Sequence, residues 1–188
     1  MLTADQLDAL IDDGEVDTVT VAFTDMQGRL VGKRSSARLF KEEISKHGAD
    51  CCNYLLAVDV EMNAIDGHRI SSSEKGYGDM AMIPDLSALR LIPWLPGTAL
   101  VMADLTWLDE TPVPPSPREI LKKQIARLSE KGLVPYVGTE LEFIVFDDSY
   151  RDAWGNGYVG PMPVSDDNID HALLALTRME RLLRGFLN

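Results

Sequence analysis

The sequence predicts an α+β chain in two parts, divided near residues 110–116. Two alternating runs rich in β-branched residues flank a glycine turn near the N-terminus, giving an antiparallel strand pair. A proline-dense stretch, TPVPPSPRE, separates that region from the C-terminal part of the chain. Beyond it, helix and strand patterns succeed one another from PREILKKQIARLSEKG into GTELEFIVF. The first part is expected to be a small unit on a mixed or antiparallel sheet over 1–112, and the second to occupy 113–188.

Each element has its own signal. Thr3 can cap a short amphipathic helix to Asp12, with Leu7, Leu10 and Ile11 on one face and Gly14 stopping it. VDTVTVAFTD and MQGRLVGKRSSA read as strands joined at Gly28. LFKEEISKHG has helical spacing and a terminating Gly48, and NYLLAVDVEM reads as a further strand. From Asn63 to Met82 the chain turns polar and Gly-rich, a loop long enough to suggest function. LRLIPWLPGTALVMADLTW supplies two short strands.

After the proline-dense linker, Ile120, Leu121, Ile125 and Leu128 form the expected buried stripe of a helix ended by Gly132. LVPYVGTELEFIVFDD continues as two strand-like pieces, then a loop, YRDAWGNGYVGPMPV. The closing segment, SDDNIDHALLALTRMERLLRGFLN, reads as one helix whose broad apolar surface from Leu173 to Phe186 needs a partner. No strand comes after it to complete the sheet that GTELEFIVF would join, so a fragment is expected.

Composition excludes several classes. With 45% hydrophobic and 26% charged residues, the 188-residue chain matches an ordinary globular protein. A net charge of -12 argues against general affinity for nucleic acid or anionic membranes. The opening MLTADQLDALIDDG has no leader pattern, and no apolar run approaches the roughly 20 residues of a membrane span. Cys51 and Cys52 are adjacent and read as reduced thiols, so the expected location is cytoplasmic.

Most candidate motifs fail on spacing. The run from Gly28 to Ser35 has three residues between its glycines and Arg34 after Lys33, where a P-loop needs four and then Ser or Thr. His47, His68 and His171 share no ligand spacing. Ser71 to Ser73 lie in the polar loop with nothing to make them nucleophilic.

Glu140 and Glu142 remain. In a strand both would project to one face, about 6.5–7 Å apart along the backbone. Two like charges at the end of a buried strand need compensation, and divalent cations supply it with oxygen ligands. A solvated strand end, or pairing of each Glu with Arg or Lys, explains the same pair. Taken alone, the two glutamates leave those readings open.

In order along the chain, DMQGRLVGKR, GYGDMAMIPDLSALRLIPWLPGTALVMADL, PVPPSPREILKKQIARL and VGTELEFIVFD resemble the glutamine synthetase family. The resemblance covers about residues 15–180 and is strongest to the bacterial branch of glutamine synthetase-like γ-glutamyl amine ligases. It implies an N-terminal β-grasp domain over 1–112 and the truncated start of the catalytic α/β domain over 113–188. It also implies that Glu140 and Glu142 bind Mg²⁺ or Mn²⁺, with ATP as co-substrate and glutamate and ammonia or an amine as substrates. The loop containing Asp66 and Asp79 would reach a neighbouring subunit of a ring-shaped homo-oligomer, Asp66 facing the ammonium or amine. His68 and Arg69 depart from the small serines of the family motif, which leaves ammonia or another amine open.

Family members are more than twice this long, and their ATP- and glutamate-binding residues lie beyond this chain. The expected activity is therefore that of the whole ligase, with this fragment alone inactive. The alternatives are a non-catalytic truncated paralogue that serves oligomerisation or partner binding, and a metal-dependent hydrolase using the same carboxylates.

Overall fold

Thr3 accepts the Gln6 N–H at 3.2 Å and Gln6 Oε1 accepts the Thr3 N–H at 2.9 Å, a capping box that opens α1 (Ala4–Asp12) in the computed structural model. The structure describes residues 1–65, 67–68, 70–71, 76–165 and 172–187. They group into two units, Met1–Pro135 and Tyr136–Asn188.

The first unit is built on a five-stranded mixed sheet in the order β2-β1-β5-β4-β3. β1 (Thr18–Thr24) and β2 (Leu30–Ser36) form the expected hairpin, with Gly28 at φ 84° in the turn, a conformation that costs glycine little. The chain then runs through α2 (Ala37–Leu39), a π-helical stretch Phe40–Ile44 and α3 (Ser45–His47) into β3 (Ala49–Cys52). β4 (Asp79–Leu91) pairs antiparallel with β3 and with β5 (Thr98–Thr106), and β5 lies parallel to β1.

Alternation along β5 places Ala99, Val101, Ala103 and Leu105 in the core with Val19, Val21 and Phe23 of β1. Leu7 of α1, Ala37 and Phe40 close over them. Burying each such Val, Leu or Phe contributes about 1.5–3 kcal/mol, so this cluster is the main source of the unit's stability.

Three expectations in this part of the unit are corrected. Asn53–Leu56 is a 3₁₀ turn, not a strand: its short apolar run has no periodicity to separate the two. The long loop ends at Gly78, not at Met82, because β4 takes up Asp79 onward. β4 also bears a register shift between Pro84 and Leu89, where proline cannot donate to the ladder. The proline-dense linker is docked: Val113 is fully buried and its N–H donates to Leu105 O at 3.0 Å.

α4 (Pro117–Ser129) forms as expected and stays with this unit, but Ile120, Leu121 and Ile125 of its anticipated buried stripe are exposed. Ion pairs hold it instead. Arg118 bridges Asp85 and Asp104, the latter at 3.0 Å, and Lys122 also meets Asp104.

The second unit contains α5 (Tyr150–Gly155), α6 (Leu173–Arg178) and α7 (Glu180–Leu187). α5 lies where a loop was expected, because Ser149 caps it by accepting the Asp152 N–H. The expected single closing helix is divided at Met179. GTELEFIVF is not a strand. At its end Val164 N donates to Val145 O and Asp147 N to Met162 O, both at 2.9 Å, around a Phe146–Pro163 bridge. From Gly138 to Val145 the backbone carries no regular secondary structure.

Candidate functional site

Glu140 and Glu142 are both exposed, on backbone without regular secondary structure. Their apolar neighbours are exposed too, Leu141 by 85%. The pair offers the hard oxygen donors that Mg²⁺ or Mn²⁺ prefers, yet two carboxylates do not fill such a shell. Among the described residues, no group of three or more His, Cys, Asp or Glu could hold a metal ion. The described donor set therefore does not amount to a metal centre.

Asp66 lies outside the described residues, as do His171, Ser72 and Ser73. His47 and His68 are exposed and far apart in the chain. Ser71 is buried, not part of a solvated polar loop, and its hydroxyl has no hydrogen-bond partner among the described residues. Asp79 opens β4 opposite Cys52, whose Sγ approaches Asp79 Oδ1 at 3.8 Å. Lys33, Asp50, Cys51 and Tyr54 join these two around a cleft of about 280 Å³. Both thiols are free, and burial pushes Cys51 up to about 12, so it is an inert core thiol.

The polar cluster that the fold assembles most carefully lies in DMQGRLVGKR, where none of its residues is a candidate site by sequence. Asp25 opens the β1–β2 turn, and its Oδ1 accepts the backbone N–H of Gln27 at 2.9 Å and of Arg29 at 2.8 Å. Its Oδ2 receives Arg29 Nε at 2.7 Å. Arg29 then donates to Val60 O at 2.6 Å and Asp59 O at 3.0 Å, and Gln27 Nε2 donates to Val58 O at 2.8 Å. Burial alone would raise the Asp25 carboxyl. The Arg29 N–H and guanidinium, with the Gln27 N–H, outweigh it and hold the group below the usual carboxylate range. An Asp three residues before a turn glycine, with Arg next, is the signal the sequence offers for it.

A profile described as glutamine synthetase, catalytic domain, matches residues 114–173. Over 187 residues the chain is 50% identical to the gamma-glutamylethanolamide synthetase GlnA4 of Streptomyces coelicolor, covering 100% of this chain and 40% of that protein. Over 139 residues it is 34% identical to the glutamate–isopropylamine ligase of a Pseudomonas species, covering 74% and 30%. A solved structure titled apo GmaS without ligand superposes with a TM-score of 0.51 at 25% identity, over 65% of this chain and 26% of that one. The crystal structure of a novel glutamine synthase homolog gives 0.54 at 21% identity over 62% and 27%, a likeness of fold. The chain thus spans well under half the length of each.

Proposed function

Because the chain belongs to the glutamine synthetase family, we propose that it is the N-terminal part of an ATP-dependent ligase that joins ammonia or an amine to the γ-carboxylate of glutamate. The observation that carries this is the 50% identity sustained along the whole chain to a protein named for making γ-glutamylethanolamide. In the proposed reaction a γ-carboxylate oxygen takes the ATP γ-phosphoryl group and ADP leaves. The amine nitrogen then attacks the acyl carbon, phosphate departs and the nitrogen loses a proton. The names of both relatives favour a small primary amine over ammonia.

Glu140 and Glu142 are proposed as two ligands of Mg²⁺ or Mn²⁺ in the whole protein. Their exposure is compatible with a shell completed by groups outside the described residues. We assign residues 1–112 to a β-grasp domain and 113–188 to the start of the catalytic domain. The mixed sheet and the profile match beginning at residue 114 support that division. A cytoplasmic ring of identical subunits is proposed for the whole ligase, with Asp66 on the amine side.

The test is a chimera in which residues 1–188 replace the matching part of the Streptomyces coelicolor relative, assayed for phosphate release with glutamate, ATP and a panel of amines. The expected result is amine-stimulated release. A folded chimera with no stimulation by any amine, beside an active parent, contradicts the proposal.

A further inference from the structure

The loop between Ala57 and Gly78 is tied to the first unit by side chains from both ends. At its start, Arg29 and Gln27 donate to three consecutive carbonyls, those of Val58, Asp59 and Val60. At its end, Asn53 is 6% exposed; its Nδ2 donates to Ile70 O at 3.0 Å and its Oδ1 accepts the Gly78 N–H at 3.3 Å. The Asn53 backbone N–H also donates to Gly78 O at 2.9 Å.

The placement of these tethers is specific. Arg29 is aimed by a carboxylate that has no other outlet: Asp25 is 1% exposed and spends both oxygens on the hairpin. A guanidinium presents its donors in a rigid fork, so one side chain sets the direction of two loop carbonyls at once. Asn53 has the reverse capability, donor and acceptor on one amide, and uses each on a different part of the loop. A second local device, Asp59 accepting the N–H groups of Glu61 and Asn63 at 2.9 Å each, stiffens the turn that Arg29 grips.

We propose that Arg29 and Asn53 are positioning residues for the amine side of the reaction, fixing the points where the 57–78 loop leaves the 3₁₀ turn and joins β4. This rests on the ligase reading, in which that loop serves the amine.

The test has two arms. In the 188-residue chain, Arg29→Met should speed hydrogen exchange of the amides of residues 58–65 about tenfold or more, and Asn53→Ala should do so at Gly78, whose N–H the Asn53 side chain accepts. Exchange in β1 and β5 should change far less. Arg29→Lys is the safer variant: a single ammonium cannot reach Asp25, Asp59 O and Val60 O together, so loop exchange still rises in a folded chain. Unchanged loop exchange in folded Arg29→Lys and Asn53→Ala overturns the tether.

In the chimera, the same substitutions should raise the amine KM about tenfold while leaving the KM for ATP unchanged. Equal losses for all substrates, or none, overturn the positioning role. An inactive unsubstituted chimera counts against the ligase reading instead, and the exchange arm still decides the tether.

Discussion

Asp25 shows how a single residue can hold a turn and a distant loop together. Its carboxyl sits below its unfolded value near 3.8, so the stability it contributes is present above that pH and lost as pH falls through the lower folded value. Asp85 shifts in the same direction, through the Ser87 hydroxyl first and Arg118 afterwards. Urea unfolding of the chain should therefore weaken below about pH 4, and Asp25→Asn should remove part of that slope while costing about 3 kcal/mol at neutral pH. A variant with the wild-type pH slope and unchanged neutral stability would contradict the assignment. Gly32 is constrained by space: a Cβ there would lie 2.0 Å from Val21 O, a backbone atom that cannot swing away. Gly32→Ala should cost about 4 kcal/mol or more, read from the midpoint of urea denaturation. The role of Gly32 is not legible in the sequence, and that of Asp25 shows only as an Asp three residues before a turn glycine. Gly28 and Gly32 have the look of a phosphate loop there, and Asp25 shows no local period because the carbonyls its Arg29 reaches lie some 30 residues away.

At the level of elements, legibility follows how local the cause is. The β1–β2 hairpin and α1 are readable because turn glycine, capping box and alternation all act within a few residues. α4 is readable as a helix, whereas its docking is not. The pattern of Ile120, Leu121 and Ile125 says which face is apolar, but what holds the helix is Arg118 and Lys122 on Asp85 and Asp104, from strands distant in sequence. Arg118→Ala should lower stability by about 1–2 kcal/mol, and the loss should shrink as salt is added. A salt-independent loss would assign the effect to packing of its methylene stem instead. GTELEFIVF illustrates the other limit: its composition favours a strand, while strand formation depends on a neighbouring strand, which local composition does not encode.

For the whole molecule, the two units differ in how much of their apolar surface the described structure covers. The first has a closed core around Phe23, Met82 and Val101; the second leaves Leu141, Phe143 and Leu173 exposed. That contrast fits a chain spanning 40% of the length of its Streptomyces coelicolor relative. Among the described residues no helix is long and apolar enough to cross a membrane. In the chimera, Glu140→Gln or Glu142→Gln should raise the Mn²⁺ concentration needed for half-maximal rate by at least about tenfold; an unchanged requirement would remove both residues from the metal site. The most direct test of the ligase reading tracks an oxygen atom. Glutamate carrying heavy oxygen in its γ-carboxylate is supplied to the chimera with ATP and ethanolamine, and the released phosphate is analysed by mass spectrometry. Transfer of label into phosphate, with matching formation of the γ-glutamylamide, is the predicted result. Unlabelled phosphate, or label that never leaves glutamate, would contradict it.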